Sequence, residues 1–173
     1  IGFCLVGSEM CIRDRNNMAT IVKLARNRKS VCINLKRGAG KQLFLKLVEQ
    51  ADVIIENFSA RAMPSLGLGY DVMTQHNPRL IYVSMPGYGS SGPYKDWVAF
   101  GPTVEPMTGF TQMFGYSPEE PRNTAMALID PIAGTSATNA VLTALRQREN
   151  DGKGKFVELS LHEAGVSFNG PWL

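Results

Sequence analysis

A carboxylate at the start of a predicted helix, and a lysine and an aromatic ring at the ends of predicted strands, are the groups here whose types and positions could do chemistry. Asp130 is followed by Pro131 where a helical pattern begins. One reading is local: Asp then Pro makes a good N-cap with a proline at the first helical position. The other uses the same geometry for catalysis. A carboxylate at a helix N-terminus meets free N–H groups and a partial positive charge. That interaction is worth about 0.3–1 kcal/mol, less than a tenfold change in acidity, and it keeps the group ionised as a nucleophile requires. Burial works against it, and would have to raise the pKa by about 3 to neutralise the group at pH 7.

The second group follows apolar runs. Asn34-Leu35-Lys36 closes a run beginning at Val31, and Glu56-Asn57-Phe58 closes another beginning at Asp52. In a parallel α/β sheet, ligands collect at the carboxyl ends of strands. A phosphate-rich, adenine-bearing ligand wants a lysine, backbone N–H groups and an aromatic face there. Lys36 as a solvated loop residue and Phe58 as a core aromatic are the plainer alternatives.

Other chemistries find less support. Gly87-Tyr88-Gly89-Ser90-Ser91-Gly92 has the G-x-G-x-x-G spacing after a predicted strand, but Pro93-Tyr94-Lys95-Asp96-Trp97 follows it without helical periodicity. A dinucleotide site needs the last glycine to open a helix, so a glycine-rich loop is the better reading. No G-x-S-x-G elbow is present. His76 precedes Asn77-Pro78 and His162 stands at a strand end, both read as surface or capping residues. No His, Cys and carboxylate cluster has metal-ligand spacing, so no metal is expected.

The elements that must position these groups can be read from apolar patterning. Residues 31–35, 52–56, 80–85 and 155–161 read as strands. Residues 39–51 read as a helix with Leu43, Phe44, Leu47 and Val48 on one face, and 71–77 as a short helix ended by Pro78. The segment 86–128 is rich in Gly, Pro and aromatics and mostly loop-like, with a short helix near 103–110. A clear helix runs from Asp130 to about Glu149, with Ala133, Ala137, Ala140, Val141, Ala144 and Leu145 on one face; Asn150, Gly152 and Gly154 end it. Another helix begins near the end of the chain. Apolar strands alternating with helices predict an α/β fold with a mostly parallel, doubly wound, Rossmann-like sheet covered on both faces.

Composition narrows the partners. With 173 residues, 44% apolar and 19% charged, the chain suits one globular domain or part of a larger one. Its net charge of +3 is scattered apart from Arg26, Arg28 and Lys29, which argues against nucleic acid and leaves room for an anionic small ligand. No apolar run approaches the roughly 20 residues that span a bilayer. The string from Gly7 to Arg15 resembles translated adapter sequence, so residues 1–17 are read as a non-native leader and 18–173 as the partial domain proper. The leader holds two bases (Arg13, Arg15) and two acids (Glu9, Asp14), so removing it leaves the charge balance alone. It also holds Cys4 and Cys11. Only Cys32 remains, expected in the core, and a lone cysteine fits a reducing cytoplasm.

Taken together the motifs resemble family III CoA-transferases, the CaiB/BaiF family. They are Asn27-Arg28-Lys29-Ser30-Val31, Asn34-Leu35-Lys36, Ala51 to Phe58, Leu66-Gly67-Leu68-Gly69-Tyr70, Asn77 to Ser84, Gly87 to Pro93, Asp130 to Gly134 and Gly152 to Val157. The resemblance covers essentially all of residues 26–173 and implies an interior portion of an enzyme more than twice as long. It implies an aspartate nucleophile at Asp130, with acyl-CoA and carboxylic acids as substrates. CoA contacts would fall on Ile33, Asn34, Leu35 and Lys36 and on Asn57, Phe58 and Ser59, with Phe100 and Gly101 lining the pocket. Such enzymes form interlocked homodimers. The family often carries Arg or Lys just before the Leu-Gly-Leu-Gly-Tyr run, where Ser65 stands here with Arg61 nearby. Further CoA contacts are expected before the matched segment and a glycine-rich active-site loop after it. The related racemases of 2-methylacyl-CoA esters place a histidine at the position of Phe100, which cannot shuttle a proton. A non-catalytic CoA-binding protein, or an inactive piece, is the remaining alternative.

Overall fold

A computed structural model describes residues 25–124 and 127–170. The proposed leader therefore lies outside the described residues. In chain order the elements are α1 (Gly38–Val48), β1 (Val53–Glu56), α2 (Ala62–Ser65), α3 (Tyr70–His76), β2 (Ile81–Ser84), α4 (Gly101–Met107), α5 (Phe110–Met113), α6 (Ile129–Asp151), β3 (Lys155–Glu158) and α7 (Leu161–Asn169). The strands form a parallel sheet in the order β1-β2-β3, with Val53 opposite Ile81 and Ile81 opposite Lys155. This is the α/β parallel architecture expected from the apolar runs.

Every residue of β2 is buried, and its side chains alternate between two cores. Ile81 and Val83 join Met85, Val104, Phe110, Ile129, Ala133, Ala137, Leu161 and Ala164 on one face. Leu80 and Tyr82 join Phe44, Val48, Met63, Leu68 and Met73 on the other. A fully buried Val, Ile, Leu or Met side chain contributes about 1.5–3 kcal/mol, so both cores hold the sheet in place. The alanine face of α6 lets this helix lie close over β2 and β3 and against α7: Ala133, Ala137 and Ala144 are buried. At the contact with α7, a Cβ on Gly165 would lie 2.6 Å from a methyl carbon of Thr108 and 2.8 Å from one of Ile129.

Helix ends follow local chemistry. α6 stops at Gly152, whose φ of 71° is the left-handed conformation that glycine adopts without penalty. The short helix expected near 103–110 is split in two at Gly109, with φ 87°.

Two expectations fail in one place. Residues 31–35 form no strand, and Cys32 is exposed rather than buried. The run is apolar enough, but its backbone turns at Asn34. The Asn34 side-chain oxygen accepts the Lys36 N–H at 3.0 Å, and its carbonyl accepts the Arg37 N–H at 3.2 Å. An Asx-type turn of this kind takes the chain straight into α1. Ile33 and Leu35 still pack against the Phe44 core, while Val31 and Cys32 face out.

Candidate active site

Asp130 lies one residue inside α6, not before it. The helix opens at Ile129 with Leu128 as N-cap, and no side chain caps it. The Asp130 N–H donates to the Ala127 carbonyl at 3.0 Å, so a turn has already begun. The N-cap reading of Asp130 is therefore corrected. A carboxylate in the first turn, rather than ahead of it, is not used to close the helix end and points elsewhere. Pro131 costs nothing there, because a first-turn N–H has no helical partner.

Asp130 points towards the start of α4. A Cβ added to Gly101 would lie 2.6 Å from Asp130 Oδ2 and 2.9 Å from its Cγ, and 2.7 Å from Ala127 Cβ. Only glycine lets the carboxylate sit this close to the α4 backbone. Part of the Asp130 surface is open to solvent, yet the protein packed round the carboxyl raises its pKa above the ordinary 3.8 by desolvation. Among the described residues no hydrogen bond or ion pair engages it. Its pKa is thus shifted upward, and no described residue occupies its lone pairs.

A cavity of about 320 Å³ opens nearby, at the carboxyl ends of β1 and β2. Asn57, Phe58, Ser59, Arg61, Lys95 and Trp97 are among its lining residues. The loop after β1 is fixed by Glu56, which is buried at the strand end. Its carboxylate accepts the Phe58 N–H at 2.8 Å and the Ser84 hydroxyl, and the Tyr82 hydroxyl at 3.4 Å. Asn57 donates its amide to the Met85 carbonyl. Burial and the adjoining Glu56 raise the Tyr82 phenol far above its usual range. On the far wall Arg61 pairs with Asp96 at 3.2 Å. Tyr94 and Trp97 pack with ring centroids 4.5 Å apart, and Tyr88 touches both as well as His162.

The residues singled out from sequence fall into three sets. Asn57, Phe58 and Ser59 line the cavity. Ala99 also lines it; Phe100, next in sequence and 59% exposed, and Gly101, which touches Asp130, are not part of the cavity wall. Ile33, Asn34, Leu35 and Lys36 are not part of the cavity wall; Ile33 and Leu35 pack in the core that Phe58 also meets, while Asn34 and Lys36 are exposed. Sequence reasoning passed over Lys95, Asp96 and Trp97. Their signal was two opposite charges and a large aromatic packed into a glycine-rich loop. His76 contacts Glu49 at 3.4 Å and His162 lies 2.9 Å from the Met107 carbonyl, so neither engages Asp130.

A parallel α/β sheet carrying a first-turn aspartate beside a strand-end cavity matches one family along nearly the whole chain. The model of CoA-transferase family III aligns with residues 9–173, and the chain belongs to that family. It is 39% identical over 142 residues to an acyl-CoA transferase of Fusarium pseudograminearum, covering 82% of this chain and 31% of that protein. It is 35% identical over 140 residues to the succinyl-CoA–D-citramalate CoA-transferase of Chloroflexus aurantiacus, covering 81% and 35% respectively. Among solved structures it resembles a CaiB/BaiF family protein from Brucella suis, with a TM-score of 0.79 and 30% identity over 82% of this chain and 38% of that one. The chain spans about a third of the length of the curated relatives it matches.

Proposed function

We propose that the complete protein transfers coenzyme A from an acyl-CoA donor to a carboxylic acid acceptor, with Asp130 as covalent carrier. The observation that carries this reading is the Asp130 carboxylate seated on Gly101, its pKa raised by desolvation and its oxygens without a hydrogen-bond partner among the described residues. The named relatives support CoA transfer as the general chemistry.

The steps follow from carboxylate nucleophilicity. An Asp130 oxygen adds to the donor thioester carbonyl, and the C–S bond breaks to give a mixed anhydride and CoA thiolate. The thiolate adds to the Asp130 carbonyl and releases the donor acid as a carboxylate, leaving an aspartyl-CoA thioester. The acceptor carboxylate then attacks that thioester, expelling the thiolate again. The thiolate takes the acceptor acyl group from the second anhydride, and Asp130 is regenerated. No net oxidation or proton uptake is involved. Desolvation assists the first step, because a carboxylate stripped of water is a stronger nucleophile.

In this reading Asn57, Phe58 and Ser59 hold part of the CoA, with Phe100 and Gly101 between it and the reacting carbonyl. Ile33, Asn34, Leu35 and Lys36 contribute from the neighbouring turn. The reading extends to a cytoplasmic homodimer without metal, nucleic-acid or membrane partners. The complete protein, given an acyl-CoA and a set of free acids, is expected to form a new acyl-CoA by chromatography. Exchange of the α-proton in deuterated water without CoA transfer would instead assign it to the racemases.

A further inference from the structure

Glu105 presents no surface to solvent, yet carries a carboxylate. Buried carboxylates are costly unless their lone pairs are used. Here both oxygens are spent on one residue: Oε1 accepts the Thr124 N–H at 2.7 Å and Oε2 accepts the Thr124 hydroxyl at 2.6 Å. Among the described residues no basic side chain pairs with Glu105. The clasp ties Thr124 to α4 through both its backbone and its side chain.

Its position gives the clasp a purpose. Glu105 stands four residues after Gly101 on α4, so the two share a face. Thr124 stands three residues before Ala127, which packs on Gly101. Asn123 adds a second tie, its side-chain amide donating to the Pro102 carbonyl at 3.1 Å. Ala127 has φ 47°, the left-handed region that a residue with a Cβ occupies at a cost of about 1–3 kcal/mol. Such a conformation persists only where its surroundings impose it. Asp130 lies three residues on, its N–H bonded to the Ala127 carbonyl.

We infer that Glu105 is a positioning residue for Asp130: by clasping Thr124 it fixes the chain three residues ahead of Ala127 to α4 and keeps the Asp130 carboxylate seated on Gly101. Glu105 is not among the residues lining the cavity, so it is inferred to act on the nucleophile's geometry and not on substrate binding. The inference rests on the reading of Asp130 as nucleophile.

The test uses the complete protein with an acyl-CoA, reading steady-state turnover and the rate of covalent adduct formation at Asp130 by intact mass. Glu105→Leu is expected to lower kcat about ten- to a hundredfold and leave KM within about threefold, because misplacing a reacting group by about an ångström costs on this scale. Glu105→Gln keeps an acceptor for the Thr124 N–H and is expected to restore kcat to within about threefold of wild type. Thr124→Val removes the hydroxyl bond to Glu105 and keeps the backbone one, serves if Glu105→Leu does not fold, and is expected to lower kcat about three- to tenfold. Wild-type kcat and adduct rate in Glu105→Leu, or in Thr124→Val, overturn the inference while leaving the nucleophile standing. So does a loss that Glu105→Gln fails to restore, or one in which KM rises in step with the fall in kcat. If the wild-type protein itself forms no adduct, the reading of Asp130 fails and takes this inference with it.

Discussion

Two carboxylates at the ends of secondary structure have been treated in opposite ways. Glu56, at the carboxyl end of β1, is buried and engages the Phe58 N–H and the hydroxyls of Ser84 and Tyr82. Asp130, in the first turn of α6, is exposed, and its carboxylate has no hydrogen bond or ion pair to a described residue. The first is a fastening: it ties the loop of Asn57, Phe58 and Ser59 to the end of β2 and shapes the cavity wall. The second has no such partner among the described residues, and desolvation by the surrounding protein raises its pKa. Under the proposed function, a carboxylate left without a partner is the one that would do the chemistry.

Substitutions should separate the two roles cleanly. The largest effect is expected at Asp130. Asp130→Asn in the complete protein should lower turnover about 10⁴-fold or more, while thermal unfolding shifts by about 0.5 kcal/mol or less. The sign of its pH dependence is fixed by the raised pKa. The folded state binds this proton more tightly than the unfolded chain, so the wild type loses stability as pH rises from the ordinary aspartate value of 3.8 through the higher folded value. Stability of Asp130→Asn relative to wild type should therefore increase with pH across the carboxylate range, as read by denaturant midpoints. A difference that falls with rising pH would mean that Asp130 gains a partner on folding.

Glu56→Leu should behave the other way round. It strips the acceptor from a backbone N–H and two hydroxyls, and should cost about 3 kcal/mol of stability. Activity should be lost through KM more than through kcat, because the cavity loop is released. Glu56→Leu with wild-type stability would remove the contrast on which the comparison rests. Gly101→Ala is intermediate. Its Cβ would press on Asp130 Oδ2 and on Ala127, both of which must move. A fall in kcat of about ten- to a hundredfold with little change in KM is expected from steady-state kinetics.

The difference between the two carboxylates was only half legible in the sequence. Apolar runs located β1, β2 and β3, and small residues at helical spacing located α6 and its buried face, because burial of whole faces leaves a periodic trace. The apolar run 31–35 carries the same trace and is no strand. Its outcome was decided by the Asn34 turn, a local hydrogen bond that competes with the sheet. Asp130-Pro131 marked a helix start correctly within one residue, yet that residue separates a cap from a free carboxylate. The end of an apolar run pointed to Asn57 and Phe58, and motif resemblance added Ser59. The clasp of Glu105 on Thr124 left no sequence signal at all, since it joins residues that only the tertiary fold brings together.

The central claim is that Asp130 carries the acyl group and then coenzyme A as covalent intermediates. Its most direct test is intact mass of the complete protein after brief exposure to an acyl-CoA, with peptide mapping of any added mass. The account predicts a covalent adduct on the peptide containing Asp130 that is absent from Asp130→Ala. No adduct in the wild type, or one that survives Asp130→Ala, contradicts it.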